Sequence, residues 1–273
     1  MPEAVRLASN DFFLYSDSCA DLSNDYAVPL SLKHRAHPEG FRFSSLRPRT
    51  ANDLHMNVLL FGATGMVGQG VLRECLSDPA VRAVVSVGRS ATGQHHQKLE
   101  EIVAADPMDL SKFAPQLTGF DACFFCLGVS ALGMSEEQYS KVTFDLTISV
   151  ARTIGRLNPN IIFIYVSGQG TDSTERGRVM WARVKGRTEN ALLALPFKTY
   201  MFRPGAIIPL HGIRSRTGWY NAMYAVARPL FPVLKRIFPN AVTTTEQVGK
   251  AMIATARNGS SVNVLETPDI NKR

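Results

Sequence analysis

Three glycines, Gly62, Gly65 and Gly68, have the spacing of turns that hold the pyrophosphate of a dinucleotide. They follow an apolar run at 58–61 and precede a segment with helical periodicity, which leads to a second apolar run at 81–87. In such a βαβ unit the glycines allow a tight turn, a close backbone approach to the phosphates and close helix packing, in that order. The helix directs free amides and its positive dipole end at the anion. The predicted phosphate-binding residues are Gly62, Thr64, Gly65, Met66, Val67 and Gly68.

The residues after the next strands predict the remaining cofactor contacts. In dinucleotide folds an acid after the second strand binds the ribose 2′-hydroxyl, whereas an arginine accommodates a 2′-phosphate. Arg89 follows that strand and no acid stands beside it, so NADP is the favoured cofactor and NAD the less favoured one. A solvent-exposed loop arginine is the alternative. Asp106 is predicted to contact the adenine, and Leu127 and Gly128 to approach the ribose.

Four cysteines occur, and two of them form a Cys-x-x-Cys pair, Cys123 and Cys126. This pair invites a redox or metal interpretation, which we reject because it lies in an apolar run, 120–127, that is typical of a buried strand. Residues three apart on a strand point to opposite faces, so the two thiols are kept apart. We expect buried cysteines acting as small apolar side chains, no metal site, and a reducing compartment.

The pattern from Met56 onward alternates strands and helices. Strands are predicted near 57–61, 81–87, 100–104, 121–127, 160–166 and 197–202, and helices near 66–77, 135–157, 175–194 and 244–258. Ser135 and Gln138 form a capping box at the start of one helix. The pattern predicts an α/β fold: a Rossmann-type doubly wound parallel sheet with helices on both faces and ligands at the carboxyl ends of the strands.

Two segments depart from this alternation. Residues 1–55 lack a sustained period and are mixed in charge, so we expect a disordered or non-native extension before a dinucleotide-binding domain at 56–273. Their aspartates argue against an organelle-targeting segment. Residues 207–240 combine prolines, aromatic residues and basic residues, which predicts a small helical lid or substrate region. Ordinary packing of a helical layer is the alternative, and shallow membrane contact through 219–240 is a third interpretation.

The composition of the chain limits which classes of binding partner we expect. Charged residues make up 19% of the chain and the formal net charge is +7, yet no basic arm or nucleic-acid-binding module occurs, so we expect no nucleic acid. The positive charge is either a solvated surface or an attraction for anionic ligands. No secretory signal or apolar run long enough to span a membrane is visible. We therefore expect a cytoplasmic protein, with a peripheral position at a membrane surface as the alternative.

Five short motifs occur in an order that resembles a known family. They are Gly62–Gly68, Cys126–Gly128, Val166–Gly168, Val184–Gly186 and Arg203–Gly205. Together they resemble an atypical short-chain dehydrogenase/reductase of the NAD-dependent epimerase/dehydratase superfamily, in the branch of the Tat-interactive-protein-like oxidoreductases. The resemblance covers roughly residues 56–265.

That resemblance implies a Ser-Tyr-Lys site, in which the tyrosine exchanges a proton with the substrate oxygen while a hydride moves to or from the nicotinamide. Ser167 matches the serine and Lys185 the lysine, which would hold the nicotinamide ribose and lower the tyrosine pKa. The tyrosine position, four residues before the lysine, is occupied by Trp181. An indole N–H donates a hydrogen bond but does not trade protons near neutral pH. Tyr165, Tyr220 and Tyr224 are the alternative acids.

Two hypotheses about function follow. The first is an NADP-dependent oxidoreductase or epimerase-like enzyme that acts on a small carbonyl or hydroxyl substrate, with Ser167, Trp181 and Lys185 as its catalytic residues. The second is a catalytically silent NADP-binding sensor or scaffold. Trp181 favours the second hypothesis, whereas Ser167 and Lys185 favour the first, because a pure binder has no use for such a serine.

Overall fold

Apolar strands alternate with helices along residues 55–213 and 240–273, the parts of the chain that the computed structural model describes. The strands are β1 (Met56–Phe61), β2 (Val81–Gly88), β3 (Leu99–Val103), β4 (Ala122–Phe125), β5 (Ile162–Val166), β6 (Lys198–Arg203), β7 (Ala206–Ile208), β8 (Val242–Thr244) and β9 (Val264–Glu266). The helices are α1 (Met66–Ser77), α2 (Glu136–Ser140), α3 (Leu146–Leu157), α4 (Met180–Leu193), α5 (Thr245–Asn258) and α6 (Thr267–Asn271). A 3-10 helix spans Ser111–Leu117 and a π-helical turn spans Lys141–Asp145.

Seven of the described strands form one sheet in the order β3-β2-β1-β4-β5-β6-β9, with every neighbouring pair parallel. Strand β1 pairs with both β2 and β4, so the chain proceeds outward in opposite directions on its two sides. Such a reversal opens a crevice at the carboxyl ends of the strands, where doubly wound folds bind ligands. The predicted Rossmann-type parallel sheet is confirmed.

Side chains of the central strand alternate between two apolar layers, one on each face of the sheet. Leu60 packs with Val71 of α1 and Met252 of α5. Its neighbour Leu59 packs on the opposite face with Ile154 of α3. Both faces are therefore covered by helices, which explains why the strands are continuous apolar runs and not alternating ones.

The two cysteines of the Cys-x-x-Cys pair lie on opposite faces of the sheet, as predicted. Cys123 is buried in the layer beneath α3, whereas Cys126 packs against the layer of α1 and α5. Burial raises the pKa of both thiols, that of Cys126 to about 12, so they stay protonated. Within 55–213 and 240–273, no cluster of three or more His, Cys, Asp or Glu side chains is placed to hold a metal ion.

The helix predicted over 175–194 begins later, at Met180, because Asp172 holds the preceding segment in a turn. Its carboxylate accepts hydrogen bonds from the backbone amides of Thr174 (3.0 Å) and Gly177 (2.6 Å). Glu175, inside this turn, has a φ of 62°. Side chain-to-backbone bonding of this kind competes with the helix and delays its start.

The helix predicted over 135–157 is present, and its capping box is confirmed by reciprocal hydrogen bonds between Ser135 and Gln138. The π turn, which the sequence pattern does not predict, separates α2 from α3 inside this segment. A π turn contains an extra residue and rotates the helix that precedes it relative to the helix that follows, and such turns are frequent at functional sites. Here it adjoins α4, which carries Trp181 and Lys185.

The predicted helical lid at 207–240 lies mostly outside the described residues, which stop at 213 and resume at 240. The start of that range is not helical, because β7 pairs in parallel with β8 just beyond it. The predicted extension also lies outside them, apart from His55. In the part of the chain that is described, no helix is long and apolar enough to cross a membrane.

Glu100 on strand β3 predicts a pH-dependent stability. One of its carboxylate oxygens is buried without a hydrogen-bond partner among the described residues, and burial raises its pKa to about 7. Because the folded state then binds a proton more tightly than the unfolded state, stability falls as pH rises from about 4.5 to about 7. We expect Glu100→Gln to be more stable than wild type at pH 8, by about 1 kcal/mol after allowance for solvent screening.

Urea denaturation at pH 4.5 and pH 8 measures this effect. The two proteins should differ at pH 8 and converge at pH 4.5, where Glu100 is protonated in the folded state. Glu101→Gln is the matched control, because the Glu101 carboxylate accepts a hydrogen bond from the Thr92 amide at 2.6 Å. A stabilisation by Glu100→Gln that is equal at both pH values would contradict this account.

Candidate functional site

The glycine turn joins β1 to α1 with very little space around two of its glycines. Gly62 has a φ of +84°, and a Cβ there would lie 2.7 Å from the carbonyl carbon of Cys126. A Cβ on Gly68 would lie only 2.0 Å from the Gly62 carbonyl oxygen. These two glycines therefore let the turn pack against the end of β4 and let α1 pack against the turn.

The middle glycine faces a cleft and not the protein interior. A Cβ on Gly65 would have its closest contact at 3.4 Å, with the Gly62 carbonyl oxygen. Gly65 is the N-cap of α1, and no side chain caps the helix there. The backbone amides of Met66 and Val67 therefore face the cleft, together with the positive end of the helix dipole. The Gln69 side-chain amide donates a hydrogen bond to the Thr64 carbonyl at 3.0 Å, which fixes the turn before the helix. This geometry fits a bound phosphate.

A cleft of about 600 Å³ lies at the carboxyl ends of β1, β4, β5 and β6. Eight of the predicted site residues line it, namely Gly65, Met66, Val67, Leu127, Gly128, Ser167, Trp181 and Lys185. A Cβ on Gly128 would meet nothing within 4 Å, so this position leaves open space in the cleft. The cleft has the position and the size that a dinucleotide requires, and the glycine turn borders it.

Two predicted contacts lie beside this cleft and do not line it. Arg89 is exposed directly after β2, the strand that pairs with β1, and so lies at the same edge of the sheet as the glycine turn. Asp106 follows β3, one strand farther out, and its carboxylate accepts a hydrogen bond from the Met108 amide at 2.8 Å. Three further predicted residues belong to the glycine turn and also do not line the cleft, namely Gly62, Thr64 and Gly68.

Ser167 and Lys185 are in direct contact at the floor of the cleft. The Lys185 ammonium donates a hydrogen bond to the backbone carbonyl of Ser167. Burial lowers the pKa of Lys185 to about 8, and the negative charge of Glu189 partly opposes that shift. The buried Ser167 hydroxyl donates to the backbone carbonyl of Phe202 at 3.1 Å, which anchors it to β6. Its oxygen lone pairs remain available as acceptors.

Trp181 stands one helical turn before Lys185, so both side chains project from the same side of α4 into the cleft. A Cβ on Gly170 would lie 3.4 Å from the Trp181 ring, which shows how closely the loop after β5 approaches the indole. The indole presents an N–H donor and an aromatic face. It presents no group that exchanges protons near neutral pH.

The tyrosines named as alternative acids do not supply that group among the described residues. Tyr165 is 1% exposed in the apolar layer beneath α3, and burial raises its pKa well above the usual value. It lines neither this cleft nor the next. Tyr220 and Tyr224 lie outside the described residues.

A second cleft, of about 490 Å³, contains a tyrosine that the sequence pattern did not single out. Its lining residues are Val129, Ser130, Ala131, Leu132, Gly133, Tyr139, Met180, Trp181 and Lys185. Tyr139 follows the capping box of α2, a signal for a helix start. That signal does not reveal which side of the helix meets the loop after β4, so the sequence offered no reason to select it.

Residues 58–174 match the NAD-dependent epimerase/dehydratase family. This range contains the glycine turn, strands β1 to β5 and Ser167. It ends before α4, so Trp181 and Lys185 lie beyond the matched part.

Two fungal relatives align with the same part of the chain. The protein fmp52, mitochondrial, of Emericella nidulans is 31% identical over 159 residues, which are 55% of this chain and 66% of the relative. The protein FMP52, mitochondrial, of Eremothecium gossypii is 31% identical over 156 residues, which are 56% of this chain and 67% of the relative. The alignment thus spans just under two thirds of the first relative's length.

Among solved structures, the enzyme WbmF of Bordetella bronchiseptica in complex with NAD⁺ and UDP is similar to this chain. The TM-score is 0.57 at 14% sequence identity, over 80% of this chain and 76% of that one. At so low a sequence identity, the structural similarity shows a shared fold alone.

The relatives correct one expectation. Both are named mitochondrial proteins, so the cytoplasmic location that we expected is wrong. That expectation rested on the lack of a visible secretory signal or membrane-spanning run, on the aspartates of residues 1–55 and on the reducing compartment that the cysteines predict. Reduced thiols indicate the redox conditions around a protein and do not specify its compartment.

The structure agrees with the family match in its glycine turn, its strand order and its cleft where the strand order reverses. One fungal relative is also 31% identical to this chain over 67% of the relative's length. Together these findings support a nicotinamide dinucleotide as the class of cofactor. The chain therefore belongs to the NAD-dependent epimerase/dehydratase family, as an atypical short-chain dehydrogenase/reductase.

Proposed function

We propose that this chain is an NADP-dependent oxidoreductase that acts on a small carbonyl or hydroxyl compound. The observation that carries the proposal is the meeting of three features in one cleft: the free amides at the start of α1, the Lys185 ammonium and Ser167. A pure dinucleotide binder needs the first of these and has no use for a serine beside the reacting end. The relatives' names support a mitochondrial location.

Each residue has a role that follows from its placement. The amides of Met66 and Val67 bind the pyrophosphate, and Lys185 holds the nicotinamide ribose through its ammonium. Ser167 orients the substrate oxygen, for which its hydroxyl must turn away from the Phe202 carbonyl. When bound, the nicotinamide supplies or accepts the hydride.

Arg89 is proposed to select NADP, because its position after β2 is where a 2′-phosphate is accommodated. We expect NADPH to bind at least about tenfold more tightly than NADH, a difference of about 1.4 kcal/mol. Cofactor fluorescence and the shift in melting temperature measure both affinities. Arg89→Leu should remove the difference by weakening NADPH alone.

Arg82→Leu is the matched control, because Arg82 lies at the opposite end of β2, where its guanidinium donates to Asn57 at 3.0 Å. This variant should keep the preference for NADPH. Equal affinities in the wild-type protein would refute the role of Arg89. Absence of binding by both cofactors would refute the proposed function as a whole.

The second candidate is a catalytically silent NADP-binding sensor or scaffold, which Trp181 favours. Under the enzyme proposal, native protein reduces carbonyl compounds, and Trp181→Phe lowers turnover by about tenfold through the loss of one hydrogen bond. Steady-state NADPH oxidation measures this. The silent alternative would be established if the native protein is inactive and the Trp181→Tyr variant is active. The variant would then have gained a proton donor that the native site lacks.

A further inference from the structure

The second cleft opens beside the cofactor cleft and shares residues with it. Val129, Trp181 and Lys185 line both, so the two spaces meet on one side of α4. A molecule held in the second cleft therefore lies next to Lys185, which the proposed function places at the nicotinamide ribose. A role for this cleft in the reaction rests on that proposed function.

Six of the nine residues that line the second cleft have apolar or aromatic side chains. Its few polar groups are largely engaged elsewhere, since Ser130 accepts from the Leu132 amide at 3.3 Å and Lys185 donates to the Ser167 carbonyl. No carboxylate or carboxamide lines this cleft within the described ranges. A nucleotide sugar would bring many hydroxyl groups that need such partners, and each unpaired polar group is costly to bury. The lining favours a molecule with an apolar body.

The exposure of Leu132 also favours a ligand with an apolar body. Leu132 lines the second cleft, yet 88% of its surface is exposed. Val179, which directly precedes the lining residue Met180, is 51% exposed. Apolar side chains in this position gain free energy when a ligand removes them from water.

Tyr139 is the one phenol in the described lining of this cleft. It is 2% exposed, so its ring is held in place while the residue still borders the cleft. Thr143 forms a hydrogen bond with its hydroxyl, and burial keeps the phenol pKa above its usual value. The phenol thus stays protonated at neutral pH and remains a donor.

The surroundings of Tyr139 are tied firmly to α4. Glu136 on α2 pairs with Arg183 of α4 at 2.6 Å. The guanidinium of Arg187 lies 4.2 Å from the centre of the Phe144 ring, within the π turn. The contacts on both sides of Tyr139 therefore hold its helix against the helix that carries Trp181 and Lys185.

We propose that the second cleft is the substrate subsite, that it takes the apolar body of an aromatic or branched aliphatic carbonyl compound, and that the Tyr139 hydroxyl donates to its carbonyl oxygen. The Trp181 indole N–H is the second donor. In the reduction, the Tyr139 oxygen passes its proton to the carbonyl oxygen as the carbon gains a hydride from the reduced nicotinamide. The phenolate then recovers a proton from water.

Ligand-observed NMR on the full chain tests the subsite, with acetophenone and UDP-glucose as the two probes. Each is titrated into cofactor-free protein and into protein with NADP⁺. We expect acetophenone to bind in both states and UDP-glucose to bind in neither. Tyr139→Phe should weaken acetophenone about tenfold, the effect of one hydrogen bond, and Leu132→Asp should weaken it further. Tyr200→Phe is the matched control and should bind like the wild type, because the buried Tyr200 lies in the layer of α1 and α5, where its hydroxyl accepts from the Ser260 amide at 3.1 Å.

Activity gives a second measurement. Tyr139→Phe should lower the rate of acetophenone reduction more than it lowers acetophenone affinity, because it removes a proton as well as a hydrogen bond. Its affinity for NADPH should stay unchanged. Binding of UDP-glucose in place of acetophenone, or an effect of Tyr200→Phe equal to that of Tyr139→Phe, would overturn the proposal. If the wild-type protein does not bind NADP⁺, the proposed function is overturned. The titration of acetophenone into cofactor-free protein still tests the subsite in that case.

Discussion

Alanine in place of Glu189 is expected to lower the free energy of unfolding by about 3–5 kcal/mol, because it removes the buried counter-charge of Arg203 and leaves only the partly exposed Glu266, at 3.4 Å, to pair with it. The Glu189 side chain is 1% exposed and that of Arg203 is 12% exposed. The Arg203 Nε donates to both carboxylate oxygens, at 3.1 and 3.2 Å, and its Nη2 also contacts the carboxylate. This ion pair connects α4 to β6, the two elements that frame the reacting end of the cleft.

Urea denaturation of three variants tests the expectation. Glu189→Ala and Arg203→Met should each be strongly destabilised, whereas the double variant Glu189→Leu with Arg203→Met should recover most of the loss, since no charge is then left buried. Glu136→Ala is the matched control, because Glu136 also pairs with an arginine of α4 but is 51% exposed. It should cost less than about 1 kcal/mol. Equal losses in Glu136→Ala and Glu189→Ala would contradict the account.

The Glu189 variant has a second consequence at the site. The negative charge of Glu189 raises the pKa of Lys185 against the effect of burial. Without that charge, the pKa of Lys185 should fall below about 8. The same ion pair would thus link the stability of the fold to the protonation of the residue that is proposed to hold the ribose.

Alanine at Gly65 is expected to weaken cofactor binding strongly while the protein stays folded. The backbone of Gly65 has φ −78° and ψ 163°, which any residue adopts, and the closest contact of an added Cβ is 3.4 Å. The methyl group would occupy the space through which the pyrophosphate approaches the amides of α1. We expect the Kd for NADPH to rise at least about tenfold, with a change in unfolding free energy below about 1 kcal/mol.

Gly68→Ala is the contrasting variant, because its Cβ would lie 2.0 Å from the Gly62 carbonyl oxygen. That contact forces the helix away from the turn, so both stability and cofactor binding should fall, stability by about 1–3 kcal/mol or more. Calorimetric titration with NADPH and thermal unfolding separate the two outcomes. A Gly65→Ala protein that binds NADPH like the wild type would show that the phosphates do not sit at the start of α1.

Much of the fold follows from local sequence. The apolar runs of β1, β2, β4 and β5 predict the strands, because strands covered on both faces must be continuously apolar. Each turn glycine has its own chemical reason, so the spacing of Gly62, Gly65 and Gly68 is sufficient to predict the turn. The opposite placement of Cys123 and Cys126 follows from the two-residue period of a strand.

Other features depend on contacts between distant parts of the chain. The predicted start of α4 was wrong because the Asp172 carboxylate bonds to amides further along the loop, which helical periodicity does not reveal. The short strand β9 was missed because three residues carry too little pattern, and it forms only where β6 offers an open edge. The predicted location was also wrong, since composition does not encode a cellular address.

By itself, the sequence determined the Rossmann-type sheet, the glycine turn and most of the predicted residues that line the cleft, because these depend on residue types within one βαβ unit or one strand end. The tertiary structure alone decided which side chains meet. It placed Tyr165 in the core and brought Tyr139 into a cleft with Trp181 and Lys185. The physical reason is that a cleft is made of residues far apart in sequence, and its lining depends on how helices pack across a sheet.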